Sequence, residues 1–147
     1  MKQTELMIGD WVKLTNYLRY GRVKSTGENM MVEVQTPNDG AYVEFPNSIE
    51  PVLLTEKILI DDNGWEVSNV DVAENDKEYG FDYGEYYVAW WRKAKLLGVY
   101  RENKKKGLSY EMVTEFPIRY VHELQHVLRL MKIKKDIEIF GVPAKKG

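Results

Sequence analysis

Five short segments of alternating apolar and polar residues, separated by turn residues, limit most strongly what this chain can fold into. Asn, Asp and Gly in the turn at 37–40 tolerate positive φ angles and are typical of a β-hairpin. The predicted strands are Trp11–Leu14, Leu18–Lys24, Met30–Thr36, Ala41–Phe45 and Ser48–Val52. Strands of this length and spacing favour a small antiparallel β-barrel, which we place at residues 1–53.

Residues 54–147 carry a mixture of helix and strand signals. Thr55 is a suitable N-cap for a short helix whose buried positions would be Ile58 and Leu59. Pro117 fits the first turn of a longer helix, which we expect at about 117–132. Strands are expected at Trp65–Val67, Tyr86–Trp91, Leu96–Tyr100, Leu108–Val113 and Ile137–Phe140, with loops at 72–77 and 103–107. The sequence therefore predicts an α+β fold in which a C-terminal helix packs on a small antiparallel sheet.

Charge and composition exclude several classes of function. Lys and Arg total 21 and Asp and Glu total 23, so the net charge of −2 supplies no broad positive field for long nucleic acid. Cysteine is absent, which excludes a disulfide, a thiolate metal site and a thiol nucleophile. No apolar run approaches the ~20 residues that cross a bilayer, and the N-terminal residues do not resemble a signal peptide. We therefore expect a soluble cytoplasmic protein with no membrane partner.

The stretch from His122 to His126 reads H-E-x-x-H and contains both histidines of the chain. On a helix, residues four apart share one face, so the two imidazoles could bind one zinc ion. Glu123 would then activate a water molecule as the general base. The motif predicts a small zinc-dependent hydrolase as one hypothesis.

The neighbouring sequence favours a site without zinc. An apolar stripe that should face the core comprises Tyr120, Val121, Leu124, Val127, Leu128 and Met131. Helical spacing then places His122 and His126 on the solvent side, next to Arg119 and Arg129. Two permanent positive charges oppose cation binding at that surface. A catalytic zinc also needs a third protein ligand, which here would have to be a carboxylate.

Aromatic residues are dense between positions 79 and 100. On a strand over 86–91, Tyr86 and Trp90 face one side of the sheet and Trp91 faces the other. One interpretation is a central strand that is covered on both sides. The other is an exposed aromatic platform for a base, peptide or nucleotide, with Arg92 and Arg101 supplying phosphate contacts.

Two groups of short motifs carry a resemblance to a known family. They are Gly9-Asp10-x-Val12 with Gly21-x-Val23 and Ile49-x-Pro51-x-x-Leu54-Thr55-Glu56, and then Tyr120-Val121-His122-x-Leu124-Gln125. Over most of the chain, these motifs resemble small uncharacterised proteins of phages and prophages of Bacteroidetes-type bacteria. The resemblance implies an SH3-like barrel followed by an α+β module that ends in this helix, and it implies no activity. In that family the residues after Tyr-Val-His are not typically Glu and His.

These observations favour a non-enzymatic phage or prophage accessory protein in the cytoplasm of a bacterial host. It would bind a host protein or a small anionic, nucleotide-like ligand, and antagonism of host defence is one such role. The expected ligand-binding side chains are Tyr86, Trp90, Trp91, Arg92, Arg101, Arg119, His122, His126 and Arg129. No cofactor is expected, except zinc under the hydrolase hypothesis, with His122 and His126 as ligands and Glu123 as the catalytic residue. A weak nucleic-acid-binding module that uses the barrel and the basic stretch 92–106 is the third hypothesis.

Overall fold

The computed structural model describes residues 1, 5–27, 31–67, 76–103 and 109–143. Within these ranges it contains two five-stranded antiparallel sheets and one α-helix, which confirms the predicted α+β class. The residues group into two compact units. The first comprises Met1–Leu53, Tyr120–Gln125 and Ile139–Gly147, and the second comprises Leu54–Arg119 and His126–Glu138. The units are discontinuous in sequence, unlike the contiguous segments 1–53 and 54–147 that the sequence suggested.

The sheet of the first unit is an antiparallel meander whose last strand pairs with its first. Its strands are β1 (Trp11–Leu14), β2 (Arg19–Thr26), β3 (Val32–Thr36), β4 (Gly40–Glu44) and β5 (Ile49–Pro51). The order across the sheet is β4-β3-β2-β1-β5. Within the described residues, β4 and β5 are therefore free edges, and the backbone ladder is open rather than closed into a barrel. The strand order is compatible with the SH3-like arrangement that the resemblance implies.

One face of this sheet forms the core of the first unit, because alternate side chains of a strand point to the same side. The core side chains are Leu6, Val12, Leu14, Val23, Val32, Val34 and Ile49. Gly21 is required here, since a Cβ at this position would lie 2.4 Å from Cγ1 of Val34. The predicted hairpin turn between β3 and β4 is present. It uses Gly40 at a φ of +86°, and the Thr36 hydroxyl donates to the Gly40 carbonyl at 2.7 Å.

The sheet of the second unit is a meander in which every strand pairs with its neighbour in sequence. Its strands are β6 (Glu66–Val67), β7 (Glu78–Tyr83), β8 (Tyr86–Trp91), β9 (Leu96–Asn103) and β10 (Ser109–Pro117). A helical turn at Ile58–Asp62 precedes the sheet. The Thr55 hydroxyl accepts a hydrogen bond from the Ile58 amide at 3.3 Å, and Ile58 and Leu59 are buried, as the sequence predicts.

One face of the second sheet carries a group of large, buried side chains. They are Tyr79 and Phe81 of β7, Val88 and Trp90 of β8, and Leu97 and Val99 of β9. Trp65 packs against Phe81, with ring centroids 4.7 Å apart. The Trp90 indole N–H donates to the Ile118 carbonyl at 3.1 Å, so this large side chain is buried without losing its hydrogen bond.

The helix α1 (Val121–Leu130) is shorter than the predicted 117–132. Pro117 is the last residue of β10, where it pairs with Leu96, so the chain is still extended at the point where the sequence suggested a first helical turn. The helix buries three of the residues that the apolar stripe predicts: Val121, Leu124 and Leu128. Met131, the fourth, lies beyond the end of the helix and is only half-buried.

Other predictions of secondary structure were wrong or fall outside the described residues. The strand β7 was not predicted, and Ile137–Phe140 is not a strand. Most of the loop predicted at 72–77, and all of the lysine turn at 104–106, lie outside the described residues. In the described part of the chain, no helix has both the length and the apolar character that crossing a membrane requires.

Candidate functional site

A hydrogen-bond network around Gly9 and Gln125 connects the motifs that carry the family resemblance. The buried Gln125 side chain accepts from the Trp11 amide and donates to the Gly9 carbonyl, both at 2.9 Å. The Gly9 amide donates to the Val23 carbonyl at 2.7 Å, and the Val23 amide donates to the carbonyl of the buried Asp10 at 2.8 Å. These residues therefore hold the first unit together, and their polar groups are used inside the fold.

Glu123 and His122 occupy the first turn of α1, and both contact Tyr120. A carboxylate oxygen of Glu123 accepts from the Tyr120 amide at 2.9 Å, as a glutamate does at the third helical position of a capping box. The His122 ring stacks on the Tyr120 ring, with centroids 5.9 Å apart and planes 13° apart. His122 is only 8% exposed, so the prediction that it faces solvent was wrong.

Of the two arginines of the predicted cationic surface, Arg129 lies on the helix with His126, and Arg119 does not lie on the helix. Arg119 precedes the helix, so helical spacing does not place it three residues behind His122 on a shared face. His126 is half-buried, while Arg119 and Arg129 are exposed. Among the described side chains, no three of the His, Asp and Glu type are grouped so that they could hold a metal ion.

The two arginines expected to bind an anion near the second sheet have partners inside the protein. Arg92 lies 3.6 Å from a carboxylate oxygen of Glu56. Arg101 donates to the Tyr86 hydroxyl at 2.6 Å, lies over that ring at 5.2 Å and is 3.6 Å from Glu85. The hydrogen bond to Tyr86 and the charge of Glu85 raise the pKa of Arg101. An anionic ligand would have to compete with these contacts.

The face of the second sheet opposite Trp90 carries a half-exposed group of rings. We call Tyr87, Trp91, Tyr100 and Tyr110 the aromatic face. Tyr87 lies 6.2 Å from Tyr100 and 6.0 Å from Tyr110, and Trp91 meets Tyr100 edge-on at 6.3 Å. Tyr110 is 48% exposed, and the other three rings are half-buried. The interpretation of β8 as covered on both sides is therefore correct only for its centre, where Val88 and Ala89 are fully buried on opposite sides, while Tyr86, Tyr87 and Trp91 are half-buried.

Small residues in the centre of the sheet give these rings their space. Gly80, Ala89 and Gly98 are direct neighbours across β7, β8 and β9. A Cβ on Gly80 would lie 2.4 Å from the Tyr87 hydroxyl, and one on Gly98 would lie 2.9 Å from Cε2 of Tyr100. The rings therefore lie across the backbone of the glycines instead of pointing away from the sheet.

Carboxylates accompany the aromatic face on the same side of the sheet. Strand register places Glu66, Glu78, Asp82, Glu102 and Glu115 there, and we call these five residues the acidic rim. None of the described strand positions on this side holds Lys or Arg. The Tyr87 hydroxyl donates to Glu78 at 3.1 Å. Burial, followed by the charges of Glu78 and Asp82, raises the pKa of the Tyr87 phenol well above its usual value.

A cavity of about 380 Å³ opens beside the aromatic face in the second unit. Glu66, Asp82, Gly80 and Tyr87 are among the residues that line it. Its two carboxylates and its ring would accept an ammonium or guanidinium group far better than an anion. None of the predicted ligand-binding residues lines this cavity.

The first unit contains a second cavity, of about 300 Å³, beside the hairpin turn at 37–40. Its lining includes Arg19 and Asp39, which form an ion pair with each other at 2.5 Å, and also Phe140 and Val142. The only arginine in the lining is thus already neutralised, and this cavity offers no uncompensated charge for an anion.

Of the aromatic residues predicted to bind a ligand, only Trp91 belongs to the aromatic face, whereas Tyr86 and Trp90 lie on the other side of β8; the acidic rim was not predicted. Alternation in Glu78-Tyr79-Gly80-Phe81-Asp82-Tyr83 is the signal that could have shown it, because a strand there places both carboxylates opposite the buried rings. Comparisons with known proteins add no candidate: no family model matches this chain, and neither a curated protein nor a solved structure matches it.

Proposed function

We propose that this chain is a non-enzymatic binding protein whose aromatic face engages a basic segment of a partner protein. The observation that carries the proposal is that half-exposed rings in tilted and edge-on contact and five carboxylates share one side of the second sheet. A cation over an aromatic ring gains about 0.5–1 kcal/mol at an exposed site and about 2 kcal/mol where water is displaced. An arginine side chain can also stack its planar group on a ring while its charge stays near a carboxylate.

The charge of this surface separates the two ligand classes that the sequence left open. The acidic rim repels an anion, and the nearby Arg92 and Arg101 already have partners in Glu56 and Tyr86. A small nucleotide-like ligand would therefore meet like charges and would have to displace existing contacts. A host protein with a basic surface segment fits the same groups without either cost.

The resemblance to phage and prophage proteins supplies the setting for this proposal. In a bacterial host, a small protein with no catalytic set can act by occupying a surface of a host protein. Antagonism of a host-defence protein is the form of this function that we favour, with a lysine- or arginine-rich segment of the target as the element recognised.

A peptide-display selection tests the proposal even though the partner is unidentified. Random peptides selected on the wild-type protein should be enriched in Lys and Arg, and the enrichment should disappear with Asp82→Lys and weaken with Tyr110→Ala. Both residues are exposed, so neither change should unfold the protein. Phe45→Ala is the matched control, because Phe45 is 58% exposed in the other unit. Enrichment of acidic peptides, or selection that is unchanged by Asp82→Lys, would contradict the proposal.

We also propose that the protein carries no structural or catalytic zinc. The cap formed by Glu123 accounts for that residue without a metal, and glutamine can replace glutamate at this helical position. Glu123→Gln should therefore leave stability unchanged, whereas Glu123→Ala should cost about 0.5–2 kcal/mol, as loss of a helix cap does. Elemental analysis of untagged protein should find far less than one zinc per chain. Near-equimolar zinc that is lost in His126→Ala would establish the hydrolase hypothesis instead.

A further inference from the structure

Strand β10 is a long and exposed edge of the second sheet. It pairs with β9 on one side, and among the described residues no strand pairs with its other side. Seven of its nine residues are exposed, all except Thr114 and Phe116. An edge of this kind presents backbone amides and carbonyls to which another extended chain can pair. Natural proteins usually shorten or cover such an edge.

The side chains of β10 combine apolar surface with negative charge. Tyr110, Met112 and Val113 are each close to one-half exposed. Glu111 and Glu115 are exposed beside them, and one bulge interrupts the register between Met112 and Thr114. Exposed apolar residues on an edge strand favour pairing with another strand, and the negative charges of the two glutamates favour a strand that is basic.

The same glutamates argue against a second copy of this chain as the pairing strand. An antiparallel pair of two β10 strands would bring four glutamates, Glu111 and Glu115 of each copy, to one seam. Like charges held that close repel each other, so a second copy is disfavoured as the pairing strand. A strand that carries Lys or Arg would instead be attracted by Glu111 and Glu115.

We propose that β10 accepts an extended basic segment of the partner protein as a sixth strand of the second sheet. This inference rests on the proposed function, and it assigns the mode by which the partner is held. Register places Tyr110, Met112 and Glu115 on the side of the aromatic face and Glu111 on the opposite side. Alternate side chains of the added strand therefore reach the aromatic face, while its backbone pairs with β10.

Peptide titration followed by NMR tests the mode of binding. The probe is a synthetic decapeptide in which arginine and valine alternate, and its twin is N-methylated at two adjacent central residues so that both edges lose a donor. The amide signals of Ser109–Phe116 should shift with the first peptide. The twin should bind about tenfold more weakly, as expected for the loss of one backbone hydrogen bond to β10.

Charge reversal on the side of β10 away from the aromatic face supplies the second test. Glu111→Lys should weaken the arginine peptide and strengthen a glutamate–valine peptide of the same length. Glu5→Lys is the control, since it makes the same charge change at an exposed residue of the other unit. Equal binding of both peptides by Glu111→Lys would overturn strand addition.

The remaining outcomes separate this inference from the proposed function. Equal affinity of the N-methylated twin, with shifts at Tyr87 and Trp91, would overturn strand addition and leave the aromatic face as the binding surface. Shifts confined to β10 would support strand addition and contradict the aromatic face as the binding surface. Absence of any shift at β10 with millimolar peptide, or concentration-dependent dimerisation through β10 without peptide, would also overturn strand addition.

Discussion

Replacement of Gln125 by methionine should destabilise the first unit far more than the removal of a surface amide would. The Gln125 side chain is 2% exposed and makes two hydrogen bonds of 2.9 Å, one from the Trp11 amide and one to the Gly9 carbonyl. Methionine has nearly the same length and fills the same space, so Gln125→Met removes both hydrogen bonds without opening a cavity. The change therefore isolates the polar contribution of this residue.

The magnitude follows from the burial of the two groups that lose their partner. The bond to the Trp11 amide is buried, and a buried donor without its acceptor costs about 1–3 kcal/mol. The bond to the Gly9 carbonyl is partly buried, so the loss there is nearer the net value of about 0.5–1.5 kcal/mol. We expect a total loss of about 2–4 kcal/mol in the free energy of unfolding.

Chemical denaturation measures this loss, and amide hydrogen exchange locates it. Exchange at the Trp11 amide should accelerate in Gln125→Met, because this amide no longer donates a hydrogen bond to a side chain of the helix. Gln35→Met is the matched control: Gln35 is exposed, and its change should stay within about 0.5 kcal/mol. A loss in Gln125→Met no larger than in the control, with unchanged exchange at Trp11, would refute the structural role of this glutamine.

Three further predictions concern the helix and the second sheet. His122→Ala should lose about 1–3 kcal/mol of stability and His126→Ala less, because only His122 is fully buried; denaturation of the pair decides. Gly80→Ala should cost about 1–3 kcal/mol and displace the Tyr87 ring, whereas Gly27→Ala, whose Cβ would lie 3.5 Å from its nearest atom, should change stability little. The folded state raises the pKa of Tyr87 above the usual 10.0. The stability that this protonated phenol contributes is therefore fully present below pH 10.0 and is lost as the pH rises above that value. Denaturation between pH 8 and 11.5 should therefore show a shallower decline in Tyr87→Phe, and an unchanged decline would show that Tyr87 does not contribute.

The first sheet was predictable because its sequence alternates cleanly. Trp11–Leu14 has the expected bounds, and the turn at 37–40 was identified from residue types that tolerate its backbone angles. The strand β7 was missed because Gly80 and Asp82 are both unfavourable in strands. The glycine is needed because Tyr87 lies over it, and this contact comes from another strand. A local pattern cannot contain that information.

The candidate site was predictable in composition and not in arrangement. The aromatic residues were identified, but their division between a buried face and a half-exposed face depends on register with β7 and β9. The acidic rim has the same dependence, because Glu66, Asp82 and Glu115 come from three different strands. Helical spacing failed for His122 because the first turn of α1 is buried over a broad arc that also includes Gln125.

The H-E-x-x-H pattern has an explanation in the structural requirements of the helix. Glu123 caps the helix, and Leu124 and Gln125 are buried, with the Gln125 side chain bonded to Trp11 of β1 and to Gly9 in the loop before it. His122 stacks on Tyr120, a contact that requires an aromatic or planar side chain rather than a metal ligand. The motif specifies three residues, and two of them, His122 and Glu123, are accounted for by contacts within the fold. A match that rests on His126 alone is weak support for a metal site.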